Sequence, residues 1–407
     1  MKCGLLGEKL GHSYSPQIHG FLGDYQYNLF EKQPDELEQF LHTGDFTGVN
    51  VTMPYKKAVI PYCDALSPVA QTLQAVNTIV RRADGSLIGH NTDYFGFQSL
   101  IQKSGLQVSG KKVLVLGSGG ASATAVAVLK ELNANVVIIS RSGENNYENL
   151  HIHEDASVIV NTTPIGMYPK TGISPVNLDL FPHLTGVLDI VYNPARTQLI
   201  LDAEARGIVA ENGLWMLVAQ AAESAQWFTG NEVPFSKIEW IYQKLRQQTE
   251  NLILIGMPGC GKSTIGKLLA QKCGKCFMDA DEAIKKKANM EIPAIFEKYG
   301  ESGFRSLESE VLNELGKQSG LVIATGGGCV TIESNYALLH QNGRIIWLQR
   351  ELDKLAIDGR PLSAKGILPK MYAHRAPMYQ RFADTIVSND RPVEETIQEI
   401  LSQEAKQ

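Results

Sequence analysis

The stretch NLILIGMPGCGKSTIG, residues 251–266, decides what the C-terminal part of this chain can be. KKVLVLGSGGASATAVAVL, residues 111–129, does the same for the part before it. Each starts as an apolar run of strand length, passes through a glycine-rich turn and continues into a helix of small and aliphatic residues. A strand that feeds a helix through glycines turns backbone N–H groups and the positive end of the helix dipole toward an anion. Both stretches can therefore hold phosphate. Their designs differ, which implies two different nucleotides in one polypeptide.

In the later stretch, Gly256 is followed after four residues by Gly261-Lys262-Ser263, a full P-loop spacing between LILI and TIGKLLAQ. Backbone N–H groups in such a loop wrap the phosphates, the lysine reaches the β- and γ-phosphates, and the hydroxyl binds Mg²⁺. The expected ligand is ATP with Mg²⁺, bound by Gly259, Cys260, Gly261, Lys262, Ser263 and Thr264. FMDADEAI places Asp279 and Asp281 two apart on one side of a strand end, one near the metal and one as base for an attacking hydroxyl. GFRSLE, ATGGGCV, DGRPLS and HRAPMY add Arg305, Gly326–Gly328, Arg360 and Arg375. Separated arginines suit a carboxylate acceptor and a phosphoryl transition state.

The earlier stretch reads G-x-G-G-A-S over 117–122, with Ala121 and Ser122 near the usual third glycine of a dinucleotide fingerprint. Gly117 permits the tight turn, and Gly119 and Gly120 let a pyrophosphate approach the helix N-terminus. An NAD site wants an acid at the end of the next strand, for the ribose 2′-hydroxyl. VVIISRSGENN offers Ser140, Arg141 and Ser142 there, and a cation suits the 2′-phosphate of NADP. NADP(H) is expected, on Gly117, Gly119, Gly120, Ala121, Ser140 and Arg141.

The chain of 407 residues, 43% hydrophobic and 20% charged, reads as a soluble globular protein of several domains. A formal charge of −5 without a long basic run argues against nucleic acid. AIKKKAN (283–289), the densest basic cluster, reads as a solvated helix face. No run approaches the ~20 apolar residues of a membrane helix, and MKCGLLGEKLGHSYS has no signal-peptide core. Six cysteines in a chain this long do not make a disulfide framework. CGKC (Cys273, Cys276) lacks the second pair or the histidines of a zinc site. The expected compartment is the cytoplasm; oligomeric state is not written in the sequence.

Residues 1–96 mix short apolar runs with Gly/Pro/Asn/Asp turns, which reads as α/β with loops that bear side chains of interest. Residues 97–212 alternate KVLVLG, NVVIIS, ASVIVNTT and GVLDIVYN with helical segments, as a Rossmann domain with a parallel sheet does. QKLRQQTE (243–250) is polar enough for a linker. Residues 251–407 alternate LILIG, LVIATGGG and RIIWLQ with helices, a P-loop domain on a parallel sheet.

Three stretches near the start complement the NADP loop. GHSYSPQIH carries Ser13 and Ser15, which in an extended segment face the same way and together hold a carboxylate. GVNVTMPYK ends in Lys56, and GHNTDYFG carries Asp93. Reducing a ketone by hydride needs a proton donor at the carbonyl oxygen, and a Lys–Asp pair supplies and orients one.

Together these motifs resemble the shikimate dehydrogenase family. S-x-S, N-V-T-x-P-x-K, A-V-N-T, N-T-D, G-x-G-G-A, N-T-T-P-x-G-M and M-L-V-x-Q-A occur in order over residues 1 to about 245. The resemblance implies that residues 1–96 form a substrate domain, which 213–246 completes. It also implies that Ser13 and Ser15 hold the substrate carboxylate, with Tyr192 near that end. Thr52, Asn77, Asp93 and Gln220 would bond the ring hydroxyls, and Lys56 and Asp93 would form the catalytic pair. Lys56 is then either the proton donor or the electrostatic stabiliser of the developing alkoxide. Residues 251 to about 405 resemble shikimate kinase. That implies Asp281 as base at the ring 3-hydroxyl, Arg305 and Arg375 on the carboxylate, and Gly327 and Gly328 as backbone contacts. Asp279 would support Mg²⁺ through water, with Lys262 and the lid residue Arg360 at the transferring phosphoryl group. The lid segment RELDKLAIDGRPLS is short and lacks the arginine usual upstream of R-P-L, which leaves Lys354 and Arg350 as nearby cations.

The whole that this implies is bifunctional. NADPH reduces 3-dehydroshikimate to shikimate, and ATP then phosphorylates shikimate to shikimate 3-phosphate, consecutive steps of aromatic amino-acid biosynthesis. Quinate as dehydrogenase substrate and a non-catalytic metabolite sensor are the alternatives. A sensor is marked by loss of Lys56, Asp93, Lys262 or Asp281, and all four are present.

Overall fold

The computed structural model describes residues 1–11, 13–356 and 368–404. They form two compact units: Met1–Met167, Ile173–Tyr192 and Leu199–Lys244 make the first, and Tyr168–Gly172, Asn193–Gln198 and Leu245–Gln407 the second.

The first unit contains two sheets. One is built of β1 (Lys2–Gly7), β2 (Gln26–Glu31), β3 (Gly48–Val51), β4 (Ala65–Leu66), β5 (Thr78–Arg81) and β6 (Leu87–His90), in the order β2-β1-β3-β5-β6-β4. It is mixed: β3 is parallel to β1 but antiparallel to β5. All four residues of β3 are buried, and its Val49 and Val51 join Leu6, Val59, Ile79 and Leu87 in one core. The other sheet is wholly parallel, with β7 (Lys112–Leu116), β8 (Asn135–Ile139), β9 (Val158–Asn161), β10 (Gly186–Asp189) and β11 (Val209–Glu211) in the order β11-β10-β9-β7-β8. Its central strands are unbroken apolar runs because helices cover both faces. Val113 to Leu116 are fully buried.

The helices Asp93–Ser104 and Leu214–Thr229 pack along each other in this unit, tied by a 2.8 Å bond from Trp215 Nε1 to Ser99 Oγ. Gly230 ends the second of them in the left-handed conformation, as the sequence predicts.

The second unit is a parallel sheet of β12 (Asn251–Ile255), β13 (Cys276–Asp279), β14 (Leu321–Ala324), β15 (Gly343–Gln349) and β16 (Thr385–Ser388), ordered β13-β14-β12-β15-β16. Both parallel sheets put loops at the C-terminal ends of their strands, where open α/β sheets bind ligands.

The first unit ends at Lys244 and the second resumes at Leu245, so the boundary falls inside QKLRQQTE, but the run is helical rather than irregular. Residues 243–249 are the second half of the helix Phe235–Thr249, and Glu250 alone separates it from β12. The apolar positions Ile238, Ile241 and Leu245 recur at helical spacing and are buried, so the polar residues are only the outer face of an amphipathic helix. Among the described residues no helix is long and apolar enough to cross a membrane. None of the six cysteines is joined in a disulfide.

Candidate active sites

In the first unit a cavity of about 280 Å³ is lined by Ser13, Ser15, Thr52, Lys56, Asn77, Asp93, Ala121, Tyr192 and Gln220. Lys56 Nζ lies 2.6 Å from Asp93 Oδ2, with side chains 32% and 19% exposed, so the pair is partly shielded yet open to a ligand. Asp93 stands in the first turn of the helix Asp93–Ser104, where the dipole favours a carboxylate. Tyr192 lines the same cavity, and burial pushes its hydroxyl above its ordinary range.

The segment of the two serines is not extended. The helix Ser15–Leu22 starts at Ser15, favoured by the proline that follows, and Ser15 N donates to Ser13 Oγ at 3.2 Å. A turn rather than strand alternation brings both side chains to the cavity wall.

Behind that wall lies a buried polar network that sequence reasoning missed. Tyr27 donates to Asn50 Oδ1 at 2.8 Å, and Asn50 Nδ2 donates to Ser224 Oγ at 2.8 Å and Thr78 Oγ1 at 3.1 Å. Ser224 also meets the Thr78 and Thr92 hydroxyls, at 2.9 and 3.0 Å. Asn77 is locked between Thr92 N, which donates to its Oδ1 at 2.7 Å, and Thr92 Oγ1, to which its Nδ2 donates at 3.0 Å. Asn50 and Thr92 sit inside quoted motifs and were within reach of the sequence. Ser224, 174 residues from Asn50, gave no local signal.

Gly117 follows β7 at φ +111°, and a Cβ there would stand 2.8 Å from Thr162 Oγ1, so the turn admits no side chain. A Cβ at Gly119 or Gly120 would meet nothing within 4 Å, which leaves the backbone at the start of the helix Gly120–Glu131 open for a pyrophosphate. Gly117 N donates to Ile139 O at 2.8 Å, so the loop after β8 adjoins this turn. Ser140 and Arg141 lie in that loop, outside the cavity lining, in a turn closed by Ser140 N donating to Asn145 O at 3.1 Å.

In the second unit a cavity of about 490 Å³ is lined by Gly259, Gly261, Lys262, Ser263, Thr264, Asp279, Asp281, Arg305, Gly327, Gly328 and Arg375. The P-loop leaves β12 and enters the helix Lys262–Cys273. Lys262 is buried, and its Nζ donates to the carbonyls of Gly256 and Met257 at 2.9 and 3.1 Å. The Cys260 side chain is fully buried away from the cavity, while its carbonyl accepts from Asn389 Nδ2 at 2.7 Å. Arg360 lies outside the described residues.

Asp279 and Asp281 do not share a strand face. Asp279 ends β13 and caps the helix Ala280–Ala288, its Oδ1 accepting from Asp281 N at 3.0 Å; Asp281 belongs to the first helical turn. Both still line the cavity because the strand-to-helix junction opens into it. Ser263 Oγ donates to Asp279 Oδ2 at 2.7 Å, which joins two hard oxygen donors.

Arg305 is gripped by Glu308, Nη1 to Oε2 at 2.6 Å. Glu308 is wholly buried, and burial pushes its carboxyl above the usual range while the Arg305 guanidinium opposes that shift. A Cβ at Gly328 would lie 2.1 Å from Arg305 Nη2, so a side chain there would push this guanidinium out of its place. Tyr379 donates to Gly327 O, and Arg375 Nη1 donates to the same oxygen at 3.1 Å. Glu308 and Tyr379 follow their arginines at i+3 and i+4, a helical spacing that could have revealed them.

Three family models match stretches of this chain. The model of the family "Shikimate kinase" matches residues 258–404, and that of "Shikimate dehydrogenase substrate binding domain" matches residues 5–79. "Shikimate 5'-dehydrogenase C-terminal domain" matches residues 213–239. Shikimate dehydrogenase (NADP(+)) of Clostridium perfringens is 36% identical over 266 residues, 60% of this chain and 97% of the relative. The crystal structure of the Thermus thermophilus shikimate 5-dehydrogenase with NADP(H) and shikimate is 30% identical, with a TM-score of 0.54 over 60% of this chain and 99% of that one. A quinate dehydrogenase from Corynebacterium glutamicum, in complex with NAD, is 26% identical with a TM-score of 0.55, again over 60% of this chain and 99% of that one.

Proposed function

We infer the function from one premise: the chain belongs to the shikimate dehydrogenase family and carries a shikimate kinase domain. It is a bifunctional enzyme of the shikimate pathway. The dehydrogenase part reduces 3-dehydroshikimate to shikimate with NADPH, and the kinase part phosphorylates shikimate with ATP. What carries this reading is that one chain holds two cavities with complementary sets of groups for the same ligand. Each joins donors for a carboxylate to partners for ring hydroxyls beside a phosphate loop of its own type.

In the dehydrogenase, we assign the substrate carboxylate to Ser13 and Ser15, with Tyr192 at that end, and the ring hydroxyls to Thr52, Asn77 and Gln220. Lys56, held in place by Asp93, then donates to the ketone oxygen and stabilises the negative charge that grows on it. NADPH supplies the hydride when bound over Gly117, Gly119, Gly120 and Ala121, with its 2′-phosphate toward Ser140 and Arg141.

In the kinase, Asp281 takes the proton of the attacking hydroxyl, Arg305 and Arg375 hold the carboxylate, and the backbone at Gly327 and Gly328 meets the ring. Gly259 to Thr264 hold the triphosphate, Lys262 meets its β- and γ-phosphates, and Arg360 is assigned to the transferring phosphoryl group. The paired oxygens of Ser263 and Asp279 fit Mg²⁺, which favours few protein ligands and keeps its waters; when bound it neutralises phosphate charge. Cysteines without disulfides favour the cytoplasm as compartment.

One reaction tests both halves. The full chain is mixed with 3-dehydroshikimate, NADPH and Mg-ATP while NADPH loss and ADP formation are followed, and the product is weighed by mass spectrometry. NADPH oxidation followed by ADP release, ending in shikimate 3-phosphate, is expected. NADPH loss without ADP removes the kinase half, and neither signal with both ligands bound leaves a sensor. Quinate with NADP⁺ or NAD⁺ in the reverse direction measures the other dehydrogenase substrate.

A further inference from the structure

The kinase cavity contains a cation that the mechanism above leaves unused. Arg350 directly follows β15, which lies beside β12, the strand that enters the phosphate loop; Trp347 pairs there with Ile255. Three residues past that pair, Arg350 arrives level with the loop and lines the same cavity as Gly259, Lys262 and Thr264. The other cations of the lining are engaged. Lys262 donates to carbonyls of its own loop, Arg305 pairs with Glu308, and Arg375 donates to Gly327 O. Arg350 Nε is buried without a hydrogen-bond partner among the described residues. A buried donor on a charged group is costly to leave unmet, so this edge of the guanidinium calls for an anion.

We propose that Arg350 is a nucleotide-binding residue whose guanidinium donates to the polyphosphate of the nucleoside triphosphate in the loop at 256–263. The planar guanidinium matches phosphate oxygens two at a time, which an ammonium cannot do. The other cation of this segment is held elsewhere: Lys354 Nζ pairs with Glu351 Oε2 at 2.7 Å and Asp390 Oδ1 at 3.7 Å. The inference rests on the kinase reading and deepens it.

The test is calorimetric titration of ADP into the full-length protein and its Arg350→Ala, Arg350→Lys and Lys354→Ala variants, with KM for ATP and shikimate from ADP formation. Arg350→Ala should weaken ADP binding and raise KM for ATP by about ten- to a hundredfold, the loss of a hydrogen bond to a charged group. KM for shikimate should stay put, which shows that the cavity has kept its shape. Arg350→Lys should recover part of the affinity, and Lys354→Ala should match the parent protein. ADP affinity unchanged in Arg350→Ala, a greater loss in Lys354→Ala, or a rise in KM for shikimate alone overturns the assignment. The kinase reading fails by a different sign: parent protein that binds ADP normally yet forms none from ATP and shikimate.

Discussion

Ser15 shows how little of a side chain's role its own identity decides. It begins a helix, receives no help from strand alternation, and reaches the cavity because Ser13 caps its backbone N–H. A hydroxyl donating to a substrate carboxylate is a charged hydrogen bond, of about 1.5–3 kcal/mol. Ser15→Ala should therefore lower kcat/KM for 3-dehydroshikimate roughly ten- to a hundredfold. Steady-state assays of both activities check this, with shikimate phosphorylation as the internal control. An equal loss in the two activities would mean that Ser15 does not belong to the dehydrogenase site alone. Lys56 and Asp93 were legible as a pair because each sits in a short motif and only their meeting was lacking. Arg350 was legible only as one of two cations near a short lid segment, and the choice between them needed the partners of Lys354.

Among elements, the helix Leu214–Thr229 does more than supply Gln220. From the next turn it extends Ser224 into the hydroxyl network under Asn77, and Ser224 Oγ donates back to Gln220 O at 2.9 Å. With its one proton given to that carbonyl, it accepts from Asn50 Nδ2 and has one lone pair left for the adjacent threonine hydroxyls. Ser224→Ala removes the shortest acceptor of the buried Asn50 amide and the hydroxyl that meets Thr78 and Thr92, at a cost of about 1 kcal/mol. Urea unfolding followed by tryptophan fluorescence should show that loss, and KM for shikimate in the dehydrogenase assay should rise as Asn77 loses its setting. Unchanged stability with unchanged KM would mean that the network carries neither load. The opposite lesson comes from the helix Phe235–Thr249. Its polar residues mark the boundary between the units, at Lys244, but hide the helix, because a run of eight read alone lacks the apolar stripe on the other face.

At the scale of the whole molecule, two histidines make the first unit sensitive to acid. Burial holds His19 down at about 3 and His90 at about 4, below the ordinary 6.5. His19 lies stacked on Tyr27 with ring centroids 4.0 Å apart, and His90 on Trp227 at 3.7 Å. A depressed folded pKa means that the unfolded chain binds the proton first. Their contribution to stability is thus complete above pH 6.5 and falls as pH drops toward 4 and then 3. Each histidine should add a slope of about 1.4 kcal/mol per pH unit in that window. Thermal inactivation of the dehydrogenase between pH 7 and pH 5 should follow it, and His19→Gln should flatten the curve while lowering its plateau. Parallel curves for the two proteins would remove His19 as the cause.

The sequence by itself determined what is local: three sheets' worth of apolar runs, two phosphate loops of distinct chemistry, and the order of motifs along the chain. These are set by spacing within a few residues, where strand and helix periods and glycine sterics act. Only the tertiary structure decided which distant side chains meet. It brought Lys56 to 2.6 Å from Asp93, Ser224 under Asn50 across 174 residues, and Arg350 beside the phosphate loop. Those meetings depend on how strands pair and helices pack, and a chain read one stretch at a time contains no distance between stretches.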